Sequence, residues 1–184
     1  MVIDSLNMLI DSHAHLEMPD FRKDLEEVLL RAKDSGIEYI FTVGTEKKDW
    51  KRALEIASSY PNIYAILGVH PHNAKEIDHE TYPALRKLCQ NEKVRAYGEI
   101  GLDFYRNHSP RDIQLNRFRE QIQLARELKL PIVVHDREAH QETLEILKSE
   151  KAFGHDPGLS LSRSTGGAIT RVLPSSWPAS KVAI

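Results

Sequence analysis

The sequence predicts an incomplete TIM-barrel, a (β/α)8-type α/β fold built here from about five strand-helix units and followed by an atypical tail. Three observations lead there. Short β-rich runs alternate with longer stretches of helical periodicity, at roughly 30 residues per unit, the spacing of parallel strands joined by crossover helices. Residues able to do chemistry cluster at or just past the C-terminal ends of four different strands, which a barrel brings to one mouth and an open sheet does not. Composition then changes abruptly near residue 151.

The predicted strands are MLIDS (8-12), EYIFTVG (38-44), IYAILGV (63-69), VRAYGEI (94-100) and IVVHD (132-136). Predicted helices follow near 22-35, 47-59, 79-91, 110-129 and 138-150. In the first helix Leu25, Val28, Leu29 and Ala32 share one face while Lys23, Glu27, Arg31 and Asp34 share the other, and Gly36 stops it. In the fourth, Ile113, Phe118, Ile122, Leu124, Ala125 and Leu128 form the apolar side, with Ser109 as N-cap and Pro110 at the first helical position. Residues 8-151 thus read as one partial barrel domain. Residues 152-184 hold 4 of the 9 glycines, 3 of the 9 prolines and six serines, with Asp156 the one acidic residue, and read as loop or disorder.

Composition excludes several classes of protein. A 184-residue chain with 41% hydrophobic and 28% charged residues has the balance of a globular domain. No apolar run approaches the roughly 18 to 20 residues of a membrane span, and no basic-then-apolar signal precedes the first strand, so a cytoplasmic location is expected. Cys89 is the single cysteine, read as a small half-buried hydrophobe on a helix, which excludes a disulfide framework or a thiolate cluster. A net charge of -2 argues against holding nucleic acid by charge alone, though a bound metal adds positive charge that the residue count omits.

His13 and His15, two apart at a strand end, point to one side and could meet one divalent ion; alone they could equally be a surface pair in a loop. Glu99 at the end of the fourth strand and His135 at the end of the fifth change that balance. A polar group so close behind a β-rich run is costly to bury unless paired or ligated, and a His-His-Glu-His set from three strands accounts for all four.

The runs IDSHAHL (10-16), GVHPH (68-72), GEIGLDFYRN (98-107) and PIVVHDREA (131-139) resemble, in order and at barrel-like spacing, the signature motifs of the TatD family of metal-dependent deoxyribonucleases, a branch of the amidohydrolase superfamily. The resemblance implies a divalent-metal site of two or three ions and hydrolysis of DNA phosphodiester bonds, often from a single-stranded 3′ end. Carried over by motif, His13 and His15 would hold the first ion, Glu99 would bridge two ions and His135 would hold the second, with Glu99 and His135 central to catalysis. Mg²⁺, Mn²⁺ and Zn²⁺ all suit such donors. His70 and His72 are expected to contact the phosphate or nucleotide rather than metal, or to be polar loop residues beside Pro71. Asp103 could orient a ligand histidine; Arg137 could clamp a phosphate oxygen, or pair with Asp136 or Glu138. Glu17 could lie in the same mouth, but is expected to be a solvated loop carboxylate.

The chain also departs from the family. The family carries a sixth strand ending in a motif like H-C-F-S-G, whose histidine completes the second metal site, and an aspartate near the eighth strand that serves the first. Neither is found, and His155 and Asp156 in GHDPG do not end a β-rich run. The tail is therefore read as frame-shifted or divergent sequence. Five strands of eight would leave the first and fifth with unpaired edges, so self-association is expected. The competing readings are an impaired barrel fragment with partial metal binding, and an amidohydrolase acting on an amide or ester. The GEIGLD carboxylate, where many amidohydrolases carry a lysine, favours the nuclease over the latter.

Overall fold

The computed structural model describes residues 9-152 together with the short strands at 162-163 and 168-170. Five parallel strands run in sequence order: β1 (Leu9–Ala14), β2 (Ile37–Gly44), β3 (Ile63–Leu67), β4 (Val94–Asp103) and β5 (Ile132–Arg137). They curl into a half-barrel. Five helices, α1 (Leu25–Asp34), α2 (Lys47–Ser59), α3 (Thr81–Leu88), α4 (Arg111–Glu127) and α5 (His140–Ser149), alternate with them.

Two apolar layers follow from strand alternation. On the helix side, Ile40, Ile63, Ala65, Leu67, Tyr97, Ile100 and Val134 pack against Trp50, Ile56, Leu85, Phe118 and Ile146 in one continuous core. On the inner side, Phe41, Val43, Ile66, Ala96 and Val133 form a separate cluster with Ile10 and Tyr64, and no helix contributes to it. This is the filling of a barrel interior. Helix α1 covers its share loosely: Leu25, Val28, Leu29 and Ala32 pack on the core as their spacing predicts, yet none is fully buried.

Several element ends differ from the sequence reading for local reasons. The first helix is preceded by a 3₁₀ turn at Pro19–Arg22 and begins only at Leu25. The third strand stops at Leu67, beyond which side chains take part of the backbone pairing: Gly68 N still donates to Gly44 O at 3.2 Å, but Trp50 Nε1 donates to Gly68 O at 2.8 Å, and Gln121 brackets Val69 through its N–H at 2.9 Å and its carbonyl at 3.1 Å. Helix α3 starts at Thr81, where the Asp78 carboxylate accepts the backbone N–H of Glu80 and of Thr81. Ser109 does not cap α4. Pro110 occupies the N-cap, and the Ser109 hydroxyl donates to His72 O at 2.8 Å while accepting from Lys75 N. Cys89 ends α3, buried, its thiol pushed up to about 12 by that burial.

The edge expected to be open at β5 is paired. A short strand β6 (Ser162–Arg163) and a strand β7 (Ala168–Thr170) extend the sheet antiparallel, β7 lying along Val133, Val134 and His135. An exposed row of N–H and C=O groups on β5 is what such a segment satisfies. Met8 and the rest of 153-184, including His155 and Asp156, lie outside the described residues. Among the described residues β1 pairs with β2 alone, and no helix is long and apolar enough to cross a membrane.

Ile66 is fully buried on the inner face. Ile66→Ala is expected to lower unfolding free energy by about 2-5 kcal/mol, read from urea unfolding followed by tryptophan fluorescence, because a cavity left at a fully buried site between packed neighbours has little room to collapse.

Candidate metal centre

The strand ends deliver two groups of metal-capable side chains that share one carboxylate: His13, His15 and Glu99, and His70, Glu99 and His135. Their delivery depends on breaks in strand alternation. In β4, Ala96 faces the interior while Tyr97 and Ile100, three apart, both face the helices, so regular alternation fails between them. The β4–β5 register shifts at that interval, and Glu99 emerges on the inner side. Gly98 and Gly101 permit it. Both hold positive φ, 155° and 141°, and a Cβ would lie 2.5 Å from Val133 O at the first and overlap His135 O at the second. The β1–β2 register likewise shifts between Asp11 and Ala14, where His13 sits, with Asp11 Oδ1 accepting the His13 N–H at 3.1 Å.

Glu99 lies between the groups. Its Oε2 is 3.2 Å from His13 Nε2 and its Oε1 2.9 Å from His135 Nδ1, while His70 Nε2 is 3.2 Å from the same His135 nitrogen. Donors around one ion with bonds of about 2.0-2.1 Å stand about 3.3 Å apart, so these separations fit an ion in each group. Burial opposes ionisation of Glu99, yet hydrogen bonds from His13 and His135 hold its carboxyl well below the usual range. Burial, reinforced by the neighbouring His135, takes His70 down to about 3 and leaves its imidazole neutral, with Nδ1 accepting the His72 N–H at 3.1 Å and Nε2 turned toward His135. His13 Nδ1 is buried without a hydrogen-bond partner, an orphan that a nearby ligand would relieve.

Outer partners fix which nitrogen each histidine presents. Asp103 Oδ2 accepts from His135 Nε2 at 3.0 Å and from His72 Nε2 at 2.8 Å, which orients the His135 ring so that Nδ1 faces Glu99 and His70. Burial works against the Asp103 charge, but the Arg106 N–H and these two imidazoles hold its carboxyl down to about 2. His15 Nδ1 faces Glu17 at 3.0 Å and Val43 O at 3.2 Å, leaving Nε2 for an ion. The hydrogen bond to Glu17 raises the His15 pKa, against burial. Burial outweighs Asp103 at His72 and lowers it; at His135, burial is overcome by Glu99 and Asp103, which raise it.

Glu17 sits differently from its sequence reading, and His70 and Arg137 have neighbours that it did not name. His70, expected to contact phosphate, has its ring among the donors of the second group. Glu17 is not a solvated carboxylate: it is 3% exposed and held by His15 and by the Thr42 hydroxyl at 2.8 Å. Arg137 pairs with neither Asp136 nor Glu138. Its guanidinium lies 4.0 Å from the Tyr105 ring centroid, and Asp136 bonds His140. Sequence reasoning missed the burial of Glu17, and it missed Thr42 and two glutamines of α4 altogether. Gln121 brackets Val69, and Gln114 brackets Asp103, accepting its N–H at 2.8 Å and donating to its carbonyl at 3.2 Å. The signal was present, because two glutamines seven apart lie on the apolar stripe of that helix.

A half-barrel whose strand ends bring two imidazole groups onto one buried carboxylate has the donor set of a metal-dependent hydrolase. The chain belongs to the TatD-related DNase family, whose pattern it matches over residues 10-163. It is 44% identical over 145 residues to the uncharacterized metal-dependent hydrolase YabD of Bacillus subtilis, covering 79% of this chain and 57% of that protein. It is 40% identical over 141 residues to the 3′-5′ ssDNA/RNA exonuclease TatD of a Pantoea species, covering 76% and 54% respectively. Among solved structures, the TatD homolog YjjV of Escherichia coli K12 superposes with a TM-score of 0.74 at 32% identity, over 80% of this chain and 57% of that one. A TatD-family hydrolase of Entamoeba histolytica superposes with a TM-score of 0.73 at 28% identity, over 79% and 55%. The chain thus spans little more than half the length of the relatives it matches.

Calorimetric titration with Zn²⁺ tests the shared carboxylate. Two equivalents are expected for the unaltered chain, one for His70→Ala, and none at comparable affinity for Glu99→Gln, which removes the charge common to both groups. Asp103→Asn should weaken the second equivalent by about 10- to 100-fold, the usual effect of removing a carboxylate behind a ligand histidine. Equal stoichiometry in all four proteins would disprove the shared site.

Proposed function

We propose that this chain carries the metal-binding half of a nuclease that hydrolyses phosphodiester bonds in single-stranded nucleic acid, DNA in particular, from the 3′ end. The single observation supporting this reading is Glu99 between two imidazole pairs, a layout that suits two divalent ions a few ångströms apart. The relatives named as 3′-5′ ssDNA/RNA exonucleases add the substrate class. Zn²⁺, Mn²⁺ and Mg²⁺ are the candidate ions, the oxygen-poor donor set favouring the first two.

His13 and His15 would hold one ion, His70 and His135 the other, with Glu99 common to both. A bound pair of this kind supplies an activated water at neutral pH and neutralises charge on the phosphate. The chain's own residues prepare that site. Glu17 and Asp103 set the tautomers of His15 and His135, and Glu99 stays ionised because both of its oxygens accept from imidazole. His72, bonded to Asp103 beside the second group, would face a phosphate oxygen, as would the Arg137 guanidinium. The buried inner cluster beneath the mouth excludes water from below.

A second reading has its own support. Each group offers three protein ligands among the described residues, so the chain could bind metal without cleaving, or require a second copy along the edge of β1 that no described residue pairs. One assay separates the two. Single-stranded DNA labelled at its 5′ end, incubated with the protein and Mg²⁺ or Mn²⁺, is expected to shorten progressively from the 3′ end. The activity should vanish with EDTA and drop at least about 100-fold in His13→Ala. Metal binding without shortening would favour the non-catalytic reading, and cleavage surviving His13→Ala would remove this site from the mechanism. Gel filtration of the same sample is expected to give an apparent mass above that of one chain.

A further inference from the structure

Beyond the metal groups, the mouth carries an exposed aromatic ring with a guanidinium laid on one face. Tyr105 is 58% exposed, and Arg137 lies 4.0 Å from its ring centroid. Neither side chain makes another polar contact among the described residues: the Tyr105 hydroxyl has no hydrogen bond, and the Arg137 guanidinium has no ion pair. Their position is set by the site itself. Val133, His135 and Arg137 alternate along β5, and Val133 belongs to the inner cluster, so Arg137 projects on the same side as His135. Arg137 is the register partner of Asp103, and Phe104 N donates to Arg137 O at 2.9 Å. Asp103, whose carboxylate touches both His72 and His135, is two residues before Tyr105, a reach of at most about 7 Å.

The turn that presents Tyr105 is held firmly. Arg106 N donates to Asp103 Oδ1 at 2.7 Å, Asn107 N to Asp103 O at 3.3 Å, and Gln114 anchors Asp103 from the helix layer. An aromatic ring kept rigid in solvent beside a catalytic mouth costs apolar exposure that its own packing does not offset. A planar partner would cover it.

Resting on the nuclease reading, we propose that Tyr105 and Arg137 form a stacking platform for one nucleobase of the single-stranded substrate, with the Arg137 fork reaching the adjoining phosphate. Every base has a π-face, so the platform accepts any sequence, and it needs a base free of its partner strand, so it selects single strands. It would also fix which phosphodiester lies over the metal groups, because the base is seated a short, rigid distance from Asp103.

The test is fluorescence anisotropy of the full chain in Mg²⁺ with two labelled, cleavage-resistant phosphorothioate strands of equal length and charge: oligothymidylate, and the same strand without bases. Tyr105→Ala should weaken oligothymidylate binding about 5- to 100-fold, the range of a single base-aromatic stack, and leave the abasic strand unchanged. Tyr105→Phe should bind as the unaltered chain does, and Arg137→Lys should lose affinity for both strands. Thermal melts of the variants should superpose, since Tyr105 is exposed. Unaltered oligothymidylate binding in Tyr105→Ala, or equal binding of both strands by the unaltered chain, would overturn the platform and leave the nuclease reading standing. Failure of the unaltered chain to bind either strand would overturn both.

Discussion

The position of Glu99 is the constraint on which the rest of this site depends. One buried carboxylate receives His13 on one oxygen and His135 on the other, so residues from β1, β4 and β5 converge on it. A lone carboxylate in that place would be neutral or expelled, since burial penalises its charge. Two imidazole partners reverse that outcome and keep it ionised. Its geometry is bought locally by two glycines, where any side chain would collide with the backbone of β5.

Around this carboxylate the polar groups form a layered network rather than isolated pairs. Asp103 connects His72 with His135, Glu17 connects His15 with Thr42, and His70 is packed against His135 at 4.3 Å between ring centroids. Such a network fixes ring orientations because His15, His70, His72 and His135 each have one nitrogen committed elsewhere. Charges within it also differ by environment. His70 stays neutral through burial, whereas His135, beside two carboxylates, holds its proton more tightly.

The helix layer contributes to the mouth through α4. Gln114 and Gln121 reach from its buried face to the backbone after β4 and β3, satisfying groups that no strand ladder covers. Trp50 of α2 does the same for Gly68. These side chains secure the loops that carry His70, His72, Asp103 and Tyr105, so the positions of site residues are tied to helix packing and not to the strands alone. The two functions of α4, core packing and loop anchoring, use one stripe of the helix.

The order of elements, the parallel strand-helix alternation and the candidate residues His13, His15, Glu99 and His135 could be read from the sequence, because periodicity and strand-end polarity are local properties. Helix α2 matched its predicted bounds, while α1 and α3 were shortened by turn and capping contacts that periodicity does not register. Simple alternation, counted from Ala96, puts Glu99 on the helix side. Only the packed sheet, with its shift between Tyr97 and Ile100, turns it inward. Tertiary structure also decided that Glu17 is buried, that His70 joins the second donor group and that Arg137 lies on Tyr105 instead of beside Asp136. The division has a physical cause: hydrophobic period is written along the chain, whereas burial, tautomer and charge depend on which distant groups arrive, and the chain must close on itself before they meet.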